Sequence, residues 1–213
     1  MTIRELKRIH RREQRRIRDR LAEFSDLGRT APDEKLFEEL VFCIFTAGAS
    51  ARMGLRSVER VRSSLMTGSV GEIQDALKGA HRYRLSRGRY VHETREYLRL
   101  SFGLQVRSML TGISDVNSRR DFLAQNRDVR GIGYKEASHF LRNIGFNGYA
   151  ILDKHVLTRL AEFGVIEEPK PPSTRNRYLE IEDKTRRFAK RIGIDVDELD
   201  LLLWYTKTGE ILK

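Results

Sequence analysis

Residues 129–160 read VRGIGYKEASHFLRNIGFNGYAILDKHVLTRL. Two predicted helices flank the turn Arg130-Gly131-Ile132-Gly133 in this stretch. The glycines at 131 and 133 let the backbone turn tightly and come close to another surface. The second helix is predicted to begin just after Gly133, so its first backbone N–H groups lack partners within the helix. Such a helix start is suited to a phosphate, and no side chain is expected to stand in the way.

A glycine–hydrophobic–glycine turn between two helices is the helix–hairpin–helix pattern, which holds DNA through backbone phosphates and reads no base sequence. The tetrapeptide alone leaves an ordinary helix–loop–helix turn open as the alternative. In the helix after the turn, Lys135, Ser138 and Arg142 are expected to lie away from the core-facing side. The residues expected to face the core are Tyr134, Ala137, Phe140, Leu141 and Ile144.

Lys135 and Asp153, which lie 18 residues apart, are the candidate reactive pair. A lysine in the first turn of a helix is slightly unfavourable against the helix dipole, which hints at a function. Lysine is a nucleophile only when its amine is neutral, and desolvation or nearby positive charge favours that form. Asp153 precedes a helical pattern, so a simple N-cap is the alternative to a catalytic role, although the two roles are compatible.

The rest of the chain has the periodicity of helices, and strand signals are nearly absent. The apolar run around Leu40 predicts a central buried helix that Asp33, after Pro32, could cap. The proline-rich segment EEPKPPST (167–174) is predicted to be a linker. The chain is therefore predicted to be all-α, with helices at about 1–25, 36–45, 54–66, 70–79, 86–101, 116–126, 134–144, 154–163, 174–192 and 195–206.

Charge is the strongest compositional signal. Lys and Arg total 41 against 30 Asp and Glu, a net charge of +11, which favours a polyanionic partner such as nucleic acid. A generally basic surface, as in a thermophile, is the alternative. Residues 1–20 alone hold nine Lys or Arg and three acids. This helix could lie along phosphates, or it could be a solvated helix with acid–base pairs at four-residue spacing.

Cys43, in the apolar run LVFCIF, is the one cysteine of the chain. One cysteine can form neither an internal disulfide nor an iron–sulfur site, so we expect a small buried core residue. No apolar stretch reaches the roughly 18 residues that a membrane span needs, and the N-terminus has no apolar signal core. A cytoplasmic protein is the resulting expectation.

Five segments together resemble a known family: GIGYKEASHFLRN (131–143), ILDKHV (151–156), HRYRLSRGRY (81–90), LDLLLWY (199–205) and KTGEILK (207–213). They resemble the helix–hairpin–helix DNA glycosylases, and more narrowly the short archaeal-type 8-oxoguanine DNA glycosylase/AP lyases. The resemblance implies two closely packed helical subdomains with a cleft between them. One is expected at about 41–164, and the other is formed by residues 1–40 and 165–213.

The same resemblance implies a bifunctional repair enzyme, a DNA N-glycosylase that is also an AP lyase, acting on double-stranded DNA that contains oxidised guanine. Lys135 would attack the sugar carbon C1′, displacing the base, and the resulting Schiff base would permit strand cleavage by β-elimination. Asp153 would stabilise the positive charge that develops at the sugar and would help to activate the amine. A non-enzymatic DNA-binding module and a glycosylase for another lesion are the rival hypotheses, which a panel of lesion substrates would separate.

Further site residues follow from the resemblance alone. Tyr83 and Trp204 would stack on the two faces of the extruded base, although core packing is the alternative for Trp204. Lys213 would help recognise the oxidised base, where a frayed terminus is the alternative. The groups implied to hold the DNA backbone are Arg130, Gly131, Gly133 and His155.

The resemblance also bears on cofactors and selectivity. An iron–sulfur cluster of four cysteines, found in some relatives, is excluded here. No metal or other cofactor is expected, although a monovalent cation could sit at the hairpin carbonyls, and the protein is expected to act as a monomer. Eukaryotic-type enzymes use asparagines to read the cytosine opposite the lesion. Ala47, Gly48 and Ala49 stand at that segment here, so strict selection of cytosine is not expected.

Overall fold

The computed structural model describes residues 1–212, and this part of the chain folds into eleven helices without a β-strand. The all-α prediction is confirmed. No helix in this range is both long and apolar enough to cross a membrane. The helices are α1 (Ile3–Thr30), α2 (Asp33–Thr46), α3 (Ala51–Val61), α4 (Val70–Ala76), α5 (Arg84–Phe102), α6 (Val106–Thr111), α7 (Val116–Ala124), α8 (Tyr134–Asn143), α9 (Lys154–Glu162), α10 (Arg175–Ile192) and α11 (Val196–Thr208). Only α6 has no counterpart among the predicted helices.

Two hydrophobic cores divide the helices into a middle and a terminal subdomain. The middle core is built from residues between Leu36 and Tyr149, on helices α2 to α8. The terminal core combines α1 with residues from Ala150 to Ile211. The division therefore falls at 149/150 rather than at the expected 164. The reason is that α9 packs its apolar face, including Leu157, into the terminal core.

Helix α2 forms the centre of the middle subdomain because it is apolar almost all round. Its residues from Leu36 to Thr46 are all buried, so the whole helix, and not only the part after residue 40, belongs to the middle core. Cys43 is completely buried, as predicted, and this burial raises the pKa of its thiol. The predicted cap of α2 is wrong. Pro32 takes the N-cap position, and Asp33 lies in the first turn, where its carboxylate accepts the Arg107 N–H at 2.7 Å.

Helix α8 lies between the two cores. Ala137 and Phe140 pack in the middle core, as predicted. Ser138 and Arg142 were expected to lie on other faces, but both are buried. They face the terminal subdomain, where Ser138 accepts a hydrogen bond from the Tyr178 hydroxyl at 3.1 Å and Arg142 pairs with an aspartate of α11. The helix is therefore covered on both sides, and its polar face is an interface.

A buried ion pair also joins the subdomains. The Arg120 guanidinium on α7 donates to both carboxylate oxygens of Glu182 on α10, at 2.7 and 2.8 Å, and neither side chain is exposed. The Glu182 carboxylate also accepts the Ala150 N–H at 3.0 Å. Removing one member of such a pair costs about 3–5 kcal/mol because the other charge stays buried. The pair therefore holds α10 and the segment before α9 against the middle subdomain.

Helix α1 carries acid–base pairs, as the solvated-helix interpretation predicts, but at three-residue as well as the expected four-residue spacing. Arg16 pairs with Glu13 at 2.6 Å and Arg15 with Asp19 at 3.9 Å. The buried side of α1 is mostly apolar but includes His10. The His10 ring nitrogen Nε2 contacts Glu198 of α11 at 2.5 Å. Polar contacts thus replace apolar packing where α1 crosses α11.

Candidate active site

The hairpin between α7 and α8 requires glycine at its first position. Gly131 has φ of +76°, and a Cβ atom there would lie 2.8 Å from Tyr90 Cδ2. Ile132 is buried in the middle core and anchors the turn. Arg130 is exposed, and its backbone N–H donates to Thr94 Oγ1 at 2.8 Å. The hairpin is therefore rigidly attached, with Arg130 on its outer side.

The start of α8 is not free of side chains. The Glu136 carboxylate oxygen Oε2 accepts the Gly133 N–H at 3.3 Å. The prediction that no side chain would stand at this helix start is wrong. Glutamate at the third helical position reaches back to the N-cap residue, because this satisfies one of the free N–H groups.

Lys135 is the second residue of α8, and its side chain keeps 26% of its surface exposed. Its Nζ lies 3.0 Å from Glu136 Oε1. The same glutamate therefore contacts both the hairpin and the candidate nucleophile.

Asp153 is the N-cap of α9. Its Oδ1 accepts the Val156 N–H at 2.8 Å, so the predicted cap is confirmed. The backbone N–H of Asp153 donates to the Ile151 carbonyl at 2.7 Å. These two bonds fix the carboxylate relative to its helix, which is compatible with a second role at the site.

Two adjoining cavities open between the subdomains. They have volumes of about 280 and 900 Å³, within or near the range of small-molecule sites. The residues that line both are Thr46, Ala49, Ser50, Lys135, Asp153 and His155. Lys135 and Asp153 therefore stand where the cavities meet, with the smaller one running towards α11 and the larger one towards the hairpin.

The structure brings Trp204, but not Tyr83, to these cavities. Trp204 is half-buried and lines the smaller cavity. Tyr83 is 46% exposed and lies outside the lining of both; the Arg82 guanidinium stacks 4.6 Å from its ring centre. Lys213 lies outside the described residues, although its neighbour Leu212 lines the smaller cavity.

The hairpin residues implied to hold DNA also differ in whether they reach the cavities. Gly133 lines the larger cavity beside His155, whereas Arg130 and Gly131 lie outside the lining of both cavities. Among residues 1–212, no group of three or more His, Cys, Asp or Glu side chains could hold a metal ion. The expectation that no cofactor is needed stays a prediction.

Asp200 is a site residue that sequence reasoning missed. Its Oδ2 accepts a hydrogen bond from Arg142 of α8 at 2.9 Å, and its Oδ1 accepts the Ile151 N–H at 2.8 Å. It lines the smaller cavity, and burial raises its pKa to about 7. Asp200 thereby joins the helix of Lys135 to the segment before Asp153. The signal that could have found it is a lone acid in the apolar run LDLLLWY.

The known proteins to which the chain is similar are DNA-repair enzymes. The family model described as 8-oxoguanine DNA glycosylase matches residues 17–194. The 8-oxoguanine DNA glycosylase/AP lyase of Korarchaeum cryptofilum is 41% identical over 198 residues, covering 92% of this chain and 90% of the relative. The protein of the same name from Methanocaldococcus jannaschii is 34% identical, with both chains covered completely.

Solved structures agree with these relatives. The crystal structure of the M. jannaschii 8-oxoguanine glycosylase/lyase in complex with a 15mer DNA containing 8-oxoguanine superimposes with a TM-score of 0.89 at 33% identity, covering 99% of each chain. The 8-oxoguanine DNA glycosylase of Thermotoga maritima superimposes with a TM-score of 0.88 at 35% identity, covering 99% of this chain and 98% of that one. The predicted fold is thereby confirmed.

Proposed function

The chain belongs to the helix–hairpin–helix 8-oxoguanine DNA glycosylase family, and we propose that it removes 8-oxoguanine from double-stranded DNA and then cleaves the abasic site. The observation that carries this proposal is the position of Lys135 and Asp153 at the junction of the two cavities. An amine and a carboxylate at the meeting point of a pocket and a hairpin are the groups that a glycosylase/lyase needs.

In the proposed reaction, the damaged nucleotide turns out of the duplex and its base enters the smaller cavity, where Trp204 provides a stacking face. Stacking is worth roughly 1–3 kcal/mol per base, which offsets part of the cost of unstacking. The Lys135 amine attacks C1′ and the bond to the base breaks. The Asp153 carboxylate stabilises the positive charge that develops at the sugar.

The second reaction follows from the covalent bond between Lys135 and C1′. Opening of the sugar ring gives a Schiff base, which makes the neighbouring C2′ proton acidic. Loss of that proton and of the 3′ phosphate is β-elimination, which cuts the strand on the 3′ side of the lesion. Because the intermediate contains a C=N bond, borohydride can reduce it to a stable adduct.

The DNA backbone would be held by the hairpin, through its main chain at Gly131 and Gly133, and by Arg130 and His155. A monovalent cation at the hairpin carbonyls fits this arrangement, and the chemistry needs no other cofactor. We further propose that Lys213 recognises the oxidised base, that the protein acts as a monomer, and that it works on DNA in the cytoplasm.

Tyr83 takes part in this proposal only if it moves. The ring lies outside the lining of both cavities and stacks with the guanidinium of Arg82, which itself lines the larger cavity. Bound DNA would compete for Arg82 through its phosphates, which would release the ring. Tyr83 would then cover the face of the base opposite Trp204.

Borohydride trapping on a duplex with a single 8-oxoguanine tests the proposed function. The unaltered protein is expected to form a covalent adduct and to cut the strand, whereas Lys135→Gln is expected to do neither, because an amide cannot form a Schiff base. Lys154→Gln, one residue after Asp153, is the control that loses a charge nearby. An adduct in the Lys135→Gln variant would contradict the assignment of the nucleophile.

A further inference from the structure

The carboxylate that contacts the candidate nucleophile is that of Glu136. The distance from Lys135 Nζ to Glu136 Oε1 is 3.0 Å, within the range in which a general base takes a proton. Both side chains are largely buried, with 26% of Lys135 and 14% of Glu136 exposed. Within residues 1–212, no other carboxylate forms an ion pair with this amine.

Asp153 is placed for a different task. Its Oδ1 is bonded to the Val156 N–H, and this bond keeps the carboxylate on α9. Asp153 shares both cavities with Lys135 but makes no ion pair with it in the described part of the chain. A group that stabilises charge at the sugar needs only to face the sugar, whereas a group that takes the lysine proton must touch the amine.

We propose that Glu136 accepts the proton of Lys135, and that a DNA phosphate bound at the hairpin triggers this transfer. This inference rests on the proposed function. The second carboxylate oxygen of Glu136 is bonded to the Gly133 N–H, at the helix start where a phosphate is expected to bind. The phosphate would therefore approach the carboxylate that contacts Lys135.

Two physical effects then favour the transfer. The negative phosphate meets Glu136 at Gly133, so it repels this carboxylate more strongly than it attracts the ammonium, which contacts the other carboxylate oxygen. Protonation of the carboxylate relieves this repulsion. Docked DNA also removes the remaining water from the two side chains. A dry site favours a neutral amine beside a neutral acid over an ion pair that lacks its hydration. Without DNA, the amine is held in the ion pair with Glu136.

The proposed step balances protons and charges. One proton moves from Nζ to Glu136 Oε1, leaving a neutral amine and a neutral acid. The lone pair of Nζ forms the bond to C1′ while the bond from C1′ to the base breaks, and its electrons leave with the base. The attached nitrogen then carries the positive charge, and the departing base takes the proton from Glu136, which is again a carboxylate.

Other charged groups lie near Lys135 and Glu136 and also affect how the excision rate depends on pH. From the larger cavity these are Arg82, Asp153, Lys154 and His155. From the smaller cavity, which Lys135 also lines, they are Arg52, His139, Arg142, Asp200 and Glu210. From α2, the Cys43 thiol interacts with both Lys135 and Glu136. All of them are shared by the unaltered protein and its Glu136 variants. A difference between two pH profiles therefore reports on Glu136 itself.

The test is the single-turnover rate of 8-oxoguanine excision by the full chain between pH 6 and 9. Glu136→Gln keeps an oxygen for the Gly133 N–H but cannot accept the proton, so excision is expected to slow about 100-fold at pH 7. The excision rate of Glu136→Gln is expected to rise about tenfold per pH unit, because the neutral fraction of an ordinary lysine amine rises by that factor in this range. Glu136→Asp keeps a carboxylate on a side chain that is one methylene shorter. Its excision rate is expected to lie between those of the unaltered protein and Glu136→Gln, and its pH profile is expected to match that of the unaltered protein.

Glu72→Gln is the matched control. Glu72 holds the same position in α4 and accepts the Ser69 N–H at 2.7 Å, but it lies away from both cavities. Glu72→Gln is expected to have the same thermal stability as Glu136→Gln and the same excision rate as the unaltered protein. DNA binding by Glu136→Gln should be unchanged or tighter, because a charge that repels phosphate is lost.

Formation of the borohydride adduct on a preformed abasic site is a second readout, since it also needs a neutral amine. We expect adduct formation by Glu136→Gln to slow about as much as excision does. An unchanged rate and pH profile in Glu136→Gln would overturn the proposal, as would a loss confined to DNA binding. The proposed function fails separately, if the unaltered protein forms no adduct or if Lys135→Gln still forms one.

Discussion

The N-terminal ends of α8 and α9 both border the cavities, and at each end an acidic side chain accepts a backbone N–H, yet the two acids are placed differently. Asp153 stands before α9 as its N-cap, bonded to its own helix through Val156. Glu136 stands inside the first turn of α8, reaches back to Gly133 and contacts Lys135.

The position of a capping acid decides what else the acid can do. An N-cap side chain bonds forward to its own helix and is held in one place. An acid at the third helical position bonds backward, to the residue where the chain enters the helix. At α8 that entrance is the hairpin, so Glu136 alone joins the expected phosphate site to the lysine.

The largest effect on the excision rate is expected from Asp153→Asn. The amide oxygen can still cap α9, but it carries no charge to stabilise the sugar, so excision is expected to fall about 100- to 1000-fold. DNA binding and thermal stability should be nearly unchanged, and the rate should not recover as the pH rises, unlike that of Glu136→Gln.

Asp153→Ala is the companion variant, since it removes the cap as well and should cost about 1 kcal/mol of stability. Measurement of excision, DNA affinity and melting temperature for both variants separates the two roles. If Asp153→Asn kept the excision rate of the unaltered protein and only Asp153→Ala lost it, the proposed difference between the two acids would be contradicted, because Asp153 would then act as a cap alone.

A smaller effect is expected from Asp200→Asn. Burial raises the pKa of Asp200 from its usual range to about 7, so the folded protein binds a proton more tightly there than the unfolded chain does. The stability that this proton contributes is fully present below about pH 4 and is lost as the pH rises towards 7. The neutral asparagine cannot lose a proton.

The melting temperature of Asp200→Asn should therefore rise relative to that of the unaltered protein between pH 4 and 7. Asp195→Asn is a control on the same helix, at the N-cap of α11. A constant difference across this range would contradict the prediction. Because Asp200 bonds both to Arg142 of α8 and to Ile151 before α9, the variant also tests how the two helix starts are held together.

The smallest effect is expected from the base opposite the lesion. Ala47, Gly48 and Ala49 have no side-chain hydrogen bonds to offer, and the Ala47 carbonyl is already bonded to Arg87 at 2.6 Å. Excision of 8-oxoguanine opposite each of the four bases should agree within about tenfold, whereas selection through buried hydrogen bonds reaches about 10⁴-fold. A strong preference for cytosine in single-turnover rates would contradict this expectation.

Local signals predicted most of the fold and the central pair of the site. Helical periodicity located ten of the eleven helices, and the hairpin with the family resemblance singled out Lys135 and Asp153. Contacts between distant segments could not be predicted in this way. Burial of Ser138 and the division of the cores at 149/150 depend on how α8 and α9 pack, which no local pattern records.

The same limit explains the site residues that were missed or misplaced. Asp200 has its role because Arg142, 58 residues away in sequence, meets it in the interior. Tyr83 lies outside the lining of both cavities, where the Arg82 guanidinium stacks on its ring. Glu136 was within reach of sequence reasoning, since an acid three residues after an N-cap position is a recognised capping signal.

Cys43 has a consequence for the conditions under which the enzyme works. Oxidants that convert guanine to 8-oxoguanine also attack thiols, and the thiolate is the form that reacts. The single thiol of this chain is completely buried and its raised pKa keeps it protonated. The chemistry that creates the substrate therefore finds no reactive sulfhydryl on the repair enzyme.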